Sequence, residues 1–242
     1  MTESEWLNGT DPQKLVSFVG RFRPSERKLR LYAAAGCRRI WHLLQDERSK
    51  AAIEAAERHA DGLTTEAARE LAWAEADEAA TDIWLATPMN ASGETSNWDS
   101  ANISVCAASN AVGPAEDFVG PDAALFYLAA NPIDAAMLEV RERGGNSDAA
   151  AEFERGFHLG LLRDIFGNPS RPVAFDPAWL TTDVLALARG IYDERAFDRM
   201  PILADALQDA GCDSADVLTH CRDAKQLHVR GCWVVDLVLA KV

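Results

Sequence analysis

The sequence has no long hydrophobic run and no targeting signal. Its longest apolar stretch, residues 232–240, is interrupted by Asp236. That stretch is far shorter than the roughly 20 apolar residues that span a bilayer. The first seven residues contain no basic segment followed by an apolar one. We therefore expect no signal peptide, no membrane association and a cytoplasmic location.

The common catalytic motifs are also missing. The chain has no G-x-S-x-G, H-E-x-x-H, Walker or G-x-G-x-x-G motif, and it lacks the E-x-x-H ligand motif of di-iron bundles. Cys37 and His42 are five residues apart in a predicted helix, which points them about 140° apart. They cannot form a nucleophile and base pair from one helix. These absences favour a protein that is not an enzyme.

Positive charge is scarce. The 242 residues include 24 Lys and Arg against 38 Asp and Glu, which gives a net charge of -14. Such an acidic surface repels nucleic acids and anionic membranes as a whole, so nucleic-acid binding would need a local basic patch. The five cysteines are an odd number, and reduced thiols in a cytoplasm are the simplest interpretation.

What the sequence does contain is a succession of helix start signals. Thr2 with Glu5 fits a capping box, Asp11 precedes Pro12, and Ser25 precedes a stripe of apolar residues. Strand signals are nearly absent. We predict an all-α fold, an irregular multi-helix orthogonal bundle of about 9–11 helices with little or no β structure. The apolar element from about Val229 is predicted to be a buried helix, although its β-branched residues also permit a strand.

The predicted organisation has two helical halves, residues 1–89 and 118–242, joined by a long loop at 90–117. One continuous domain is the alternative. The loop is rich in Asn, Ser, Gly, Pro and Asp. We expect one helix at about 121–130 and a separate one starting at Pro132. An alanine-rich helix at 64–86 has a seam of small residues that suits close helix packing within the chain or across a dimer, so the oligomeric state stays open.

Cysteine and histidine residues are concentrated near the C-terminus. Soft or borderline metal ligands occur at Cys212, His220, Cys221, His228 and Cys232, and they could form a zinc site. The spacing is poor for zinc, because there is no C-x-x-C knuckle and the adjacent His220 and Cys221 point to different helix faces. The preferred interpretation is therefore that the cysteines are buried as small hydrophobic residues and the histidines lie at helix ends.

A basic segment stands out against the acidic background. Residues 14–39 contain eight Lys and Arg and one acidic residue, whereas residues 64–82 contain six acidic residues and one Arg. The functional hypothesis is a patch for phosphate, nucleic acid or an acidic partner. Its candidate residues are Arg21, Arg23, Arg27, Arg30, Arg38 and Arg39. The preferred alternative is that the two segments pair inside the chain.

The segment around Trp179 is the last candidate. It follows an extended, proline-containing stretch at 169–175, and Arg163, Asp164, Arg171 and Asp176 surround residues 166–169. Functional loops have this character, but so do loops that lock helices together through buried aromatic residues and Arg–Asp pairs. We favour the structural interpretation.

Several segments resemble a paralogous bacterial domain family. They are 2–7 (TESEWL), 27–31 with 37–44, 161–169 (LLRDIFGNP), 191–199 (IYDERAFDR), 220–222, and 228–236 (HVRGCWVVD). The similarity covers about the first 60 and the last 85 residues. The family has no activity assigned to it, and its members occur alone and fused to other modules. The resemblance therefore implies an interaction or adaptor module.

The sequence leads to one main hypothesis and two alternatives. We expect a non-enzymatic helical interaction module that binds another protein. The first alternative is a metal- or thiol-dependent activity at His220, Cys221, His228 and Cys232, with zinc as the metal. The second is nucleic-acid or phosphate binding through residues 21–39.

Overall fold

A computed structural model describes residues 1–86, 104, 106–108, 111, 113 and 124–241, except for the side chains of 124–131. The described part is helical, and no residue in it forms a strand. Its α-helices are α1 (Glu3–Asn8), α2 (Pro12–Gly20), α3 (Glu26–Arg39), α4 (Glu47–Ala60), α5 (Glu66–Ala86), α6 (Ala124–Glu142), α7 (Ser147–Phe166), α8 (Thr182–Glu194), α9 (Met200–Asp209), α10 (Ala215–Arg222) and α11 (Trp233–Val238). Short 3₁₀ helices lie at Trp41–Leu43, Pro177–Trp179 and Phe197–Arg199. The predicted all-α, multi-helix fold is confirmed.

Side chains at the predicted start signals cap the helices. The backbone N–H of Thr2 donates to Glu5 at 2.6 Å and that of Glu5 donates to Thr2 Oγ1 at 3.2 Å. This reciprocal pair is the predicted capping box. Asp11 accepts the N–H groups of two residues in the first turn of α2, and Pro12 occupies the first helical position, where a missing N–H costs nothing.

Two details of the predicted helices are wrong. The separate helices expected on either side of Pro132 form one helix, α6, with the proline inside it. Proline forfeits one backbone hydrogen bond, yet the buried residues Ile133, Ala135 and Ala136 continue the apolar pattern beyond it. The sequence predicts Ser147 or Asp148 as the cap of α7, but the cap is Asn146, whose Oδ1 accepts two backbone N–H groups.

The contacts divide the chain into two compact units. One consists of Met1–Asn8 with Gly160–Val242, and the other of Gly9–Leu159; the boundary falls within α7. The predicted loop at 90–117 lies mostly outside the described residues, and the predicted halves stay a prediction. None of the described helices combines the length and the apolar character needed to cross a membrane.

Each unit has its own apolar contacts. In the unit 9–159, the alanine seam of α5 packs on α4, where Ala52, Ala56 and Ala76 are fully buried together. Small side chains allow this close helix approach. In the other unit, helices α8 to α11 surround a core that contains Trp179, Tyr192 and three cysteines, Cys212, Cys221 and Cys232. The last helix, α11, is buried as predicted, with Val234, Val235 and Val238 at most 1% exposed.

Candidate metal centre

Four metal-ligating side chains converge in the unit 160–242. Asp164 lies in the last turn of α7, His220 in the last turn of α10, and Cys232 is the N-cap residue of α11. His228 lies in the connection between α10 and α11. One donor atom from each of these residues lies within 4.8 Å of the other three.

The distances place these atoms around one point. Oδ1 of Asp164 lies 2.8 Å from Nδ1 of His228 and 3.2 Å from Nε2 of His220. Sγ of Cys232 lies 3.3 Å from Nε2 of His220 and 3.8 Å from Nδ1 of His228. In each of the two histidine rings, one nitrogen therefore faces both the Asp164 carboxylate and the Cys232 thiol.

These separations fit a tetrahedral zinc ion. Zinc binds nitrogen and oxygen at about 2.0–2.1 Å and sulfur at about 2.3 Å, so tetrahedral ligands are about 3.3 Å apart for nitrogen and oxygen and about 3.6 Å apart for nitrogen and sulfur. The nitrogen–oxygen distances of 2.8 and 3.2 Å lie slightly below the first value, and the nitrogen–sulfur distances of 3.3 and 3.8 Å lie on either side of the second.

The cluster is closed to solvent. The side chains of Asp164, His228 and His220 are 0%, 5% and 11% exposed, and Cys232 is 0% exposed. Four protein donors complete a tetrahedral shell and leave no position for water or substrate, which is the pattern of structural zinc sites. A cation would also compensate the burial of a carboxylate and a thiolate, which is costly for charges without partners.

The surroundings fix the orientation of the donor groups. The second carboxylate oxygen of Asp164, Oδ2, accepts the backbone N–H of Val229 at 2.9 Å, so Oδ1 is the oxygen turned to the histidines. The ring of Trp233 packs against the His220 ring with the centroids 5.0 Å apart. Hydrogen bonds and packing of this kind hold metal ligands in position.

Burial and neighbouring groups change the pKa values in this cluster. Burial favours the neutral form of Asp164, but hydrogen bonds from His220 and His228 and their charge more than offset it, so its pKa is lowered. Burial, with the nearby Asp164 charge, raises the pKa of Cys232 well above its usual value. With protein groups alone the thiol is neutral, whereas a bound cation stabilises the thiolate.

The same geometry does not suit a cysteine–histidine–aspartate hydrolase. In such a triad one ring nitrogen contacts the nucleophile and the other contacts the acid, so that the ring can carry a proton between them. Here Nδ1 of His228 faces both Asp164 and Cys232, and Nε2 of His220 does the same. Cys232 is also fully buried, which keeps substrates from its sulfur.

The structure brings together three of the four candidate residues. His220, His228 and Cys232 converge, but Cys221 is not among the converging donors. It is buried in the apolar core with Cys212, and burial raises its pKa to about 12. The fourth donor, Asp164, is a residue that we did not connect with this cluster. The sequence feature that could have indicated Asp164 is a charged residue on the apolar side of a helix, near the fully buried Leu161 and Ile165.

The candidate arginines of the basic segment lie in the other unit and have carboxylate partners there. Arg27 pairs with Asp61 at 3.5 Å, Arg30 with Glu26 at 2.6 Å, Arg38 with Glu57 at 2.8 Å and Arg39 with Glu154 at 2.9 Å. None of these partners lies in the acidic segment 64–82. Arg21 and Arg23 are exposed. Internal pairing is therefore present for four of the six candidate arginines, and Glu66 of the acidic segment also attracts Arg30 electrostatically.

The segment around Trp179 is packed into its unit. Trp179 is 8% exposed and its ring contacts that of Phe175 edge-on at 5.0 Å. Arg171 pairs with Asp216 at 3.1 Å, and Arg163 donates to the backbone carbonyl of Trp6. The arginines of this segment thus hold other parts of the chain, as the structural interpretation expects.

Comparisons of the chain with family models, with curated proteins and with solved structures give no match. The resemblance to a bacterial domain family therefore stays a prediction.

Proposed function

We propose that the chain is a non-enzymatic helical interaction module. In the unit of residues 1–8 and 160–242, a structural zinc ion holds the segments together. The ligands are Asp164, His220, His228 and Cys232. The observation that carries this proposal is the convergence of four buried donor atoms within 4.8 Å of one another. Residues from three helices and one connection supply them, so the ion would add a crosslink to segments that hydrogen bonds to Asp164 and packing already join.

Zinc is the metal that best fits these donors. Two imidazoles and a thiolate disfavour magnesium and calcium, which select oxygen ligands. A four-coordinate site with mixed nitrogen, oxygen and sulfur donors is typical of zinc. All five cysteines are free thiols, which supports a reducing compartment. We therefore place the protein in the cytoplasm.

The ion would stabilise the folded protein. A ligand that binds only the folded state stabilises it by about 4 kcal/mol at a concentration 1,000 times its dissociation constant. In this unit the ion would tie the end of α7 to α10 and to the start of α11, because each supplies a donor. A rigid unit of this kind suits a module that presents a surface to a partner. The filled ligand shell and the buried thiol are the features that argue against catalysis.

The test begins with metal analysis of the purified full-length protein. We expect close to one zinc per chain by inductively coupled plasma mass spectrometry. Cobalt(II) added after chelation should give the intense visible absorption of a tetrahedral site, together with a sulfur-to-metal charge-transfer band. The matched variants are Cys232→Ala and Cys221→Ala, because both remove a buried thiol from the same core.

The two variants distinguish the loss of a metal ligand from the loss of a packed side chain. Cys232→Ala should lose the zinc and the charge-transfer band, whereas Cys221→Ala should retain both. The proposal is contradicted if the purified protein carries no stoichiometric metal and shows no tetrahedral cobalt spectrum. Turnover of a generic substrate panel by purified protein would contradict the non-enzymatic part alone.

A further inference from the structure

The N-terminal helix packs against a part of the chain that is distant in sequence. Helix α1 belongs to the same unit as residues 160–242, although residues 9–159 separate the two in the chain. Trp6 is 0% exposed, so its side chain is fully enclosed. Tryptophan residues that fill desolvated pockets are also frequent hot spots of protein interfaces.

Polar contacts from four residues define the position of this segment. The indole N–H of Trp6 donates to the carbonyl of Gly167 at 2.9 Å. Arg163 donates from Nε and Nη2 to the backbone carbonyl of Trp6 at 3.3 and 3.1 Å. The amide of Asn168 donates to Glu3 Oε1 at 2.6 Å, and Arg171 Nε lies 3.4 Å from the same oxygen.

Each contact selects one feature of a peptide. The Gly167 carbonyl recognises an indole N–H, Arg163 recognises the backbone, and Asn168 with Arg171 recognises a carboxylate. Glu3 and Trp6 are three residues apart, so one turn of helix presents both to this surface. Gly167 itself has a φ of +61°, a left-handed conformation that favours glycine, and it packs closely on Trp233.

We propose that the surface formed by Arg163, Gly167, Asn168 and Arg171 is a peptide-docking site, here called the α1 slot. Its partner is a helical segment of another protein with a tryptophan and an acidic residue three positions before it. Helix α1 is then a built-in competitor that occupies the slot until such a partner displaces it. This inference rests on the interaction role proposed above and is independent of the metal ion.

The test uses the full chain with its own segment weakened. The probe is a fluorescein-labelled peptide of residues 1–8, measured by fluorescence anisotropy. The double variant Glu3→Ala and Trp6→Ala should bind this peptide saturably. The wild-type chain should bind it at least about tenfold more weakly, because a tethered segment competes at an effective concentration in the millimolar range. Peptides carrying Trp6→Ala or Glu3→Gln should bind the double variant more weakly than the parent peptide.

Several outcomes would overturn the inference. One is no binding by a double variant that keeps its circular dichroism spectrum and its zinc content; another is equal binding of the Trp6→Ala peptide. If the double variant does not fold, the full chain with Glu3→Gln replaces it, and failure of that variant to exceed wild-type affinity overturns the inference. A concentration-dependent wild-type dimer that Trp6→Ala abolishes would assign the slot to a second copy instead. Because zinc content is measured separately, failure of the slot leaves the metal proposal standing.

Discussion

Nδ1 of His228 lies 2.8 Å from Oδ1 of Asp164, although 64 residues separate the two in the chain. The carboxylate reaches this position from the last turn of α7, and its other oxygen is held by the backbone N–H of Val229. Its orientation is thus set before any ion binds. Preorganisation of this kind raises metal affinity, because less freedom is lost when the ion is bound.

The first prediction concerns the charge of this ligand. Asp164→Asn keeps the shape of the side chain but removes the negative charge that zinc binds, so we expect zinc affinity to fall on the order of 100-fold or more. Competition with a chromophoric zinc chelator measures the change. Asp216→Asn makes the same substitution at an exposed position of the same unit and should leave the affinity unchanged. Equal affinities for Asp164→Asn and the wild type would remove Asp164 from the ligand set.

Chain proximity explains which part of the centre could be predicted. His220, His228 and Cys232 lie within 13 residues, so composition alone draws attention to them. Cys221 lies in the same stretch but is not one of the converging donors, because the neighbour of a helical ligand points to another face. Asp164 could not be connected with them, since only the tertiary fold brings α7 to this point.

The fold was more predictable than the centre because helix signals are local. Capping residues such as Asp11 act on backbone groups two or three positions away, so the sequence contains the whole interaction. Pro132 shows where local rules fail. A proline usually ends a helix, but buried residues on its C-terminal side keep α6 continuous through tertiary packing.

The second prediction uses two glycines with positive φ. Gly211→Ala should cost about 1–2 kcal/mol, because φ is +94° there and no atom lies near the added Cβ. Gly167→Ala adds a steric conflict, since its Cβ would lie 3.1 Å from Cγ of Trp233. We therefore expect it to destabilise the protein further, by about 1 kcal/mol or more.

Zinc affinity distinguishes these two variants more sharply than stability does. Trp233 packs against His220, so a shift of its ring in Gly167→Ala should also displace a ligand and lower zinc affinity about tenfold. Gly211→Ala should bind zinc normally. Chemical denaturation and chelator competition measure the two effects. Unchanged zinc affinity in Gly167→Ala would mean that the indole does not hold His220 in place.

The third prediction separates structural arginines from interaction residues. Arg38 contacts Glu57 through two hydrogen bonds of 3.2 and 2.8 Å, and the Glu57 side chain is 7% exposed. Arg38→Ala deprives a buried carboxylate of both bonds and should destabilise the protein by about 2 kcal/mol. Arg21 is exposed, so Arg21→Ala should change the free energy of unfolding by less than about 0.5 kcal/mol.

A gel shift at low salt with both arginine variants tests the alternative role of this segment. If residues 21–39 bind nucleic acid through their charge, the wild type retards it and both variants weaken the retardation by similar factors. We expect no retardation by the wild type, because four of the six candidate arginines already pair with carboxylates. Retardation that Arg21→Ala weakens would restore nucleic-acid binding as a role.

The fourth prediction concerns acid stability and a buried histidine that is not one of the proposed zinc ligands. His158 is 0% exposed, and its ring nitrogen Nδ1 lies 3.0 Å from the hydroxyl of Tyr32. Burial lowers its pKa from 6.5 to about 4. The unfolded chain therefore binds a proton at this site between pH 6.5 and 4, and the folded protein does not.

The sign of the pH effect follows from this difference. The contribution of neutral His158 to stability is complete above pH 6.5 and is lost progressively as the pH falls to 4, by about 3 kcal/mol in total. His158→Asn keeps a polar atom near the position of Nδ1 but does not titrate. Urea denaturation at several pH values should therefore give a shallower loss of stability for this variant than for the wild type over that interval. The other four histidines are common to both proteins, so their titration cancels in the comparison. Parallel stability curves for the two proteins would show that His158 is protonated to the same extent in the folded and unfolded states.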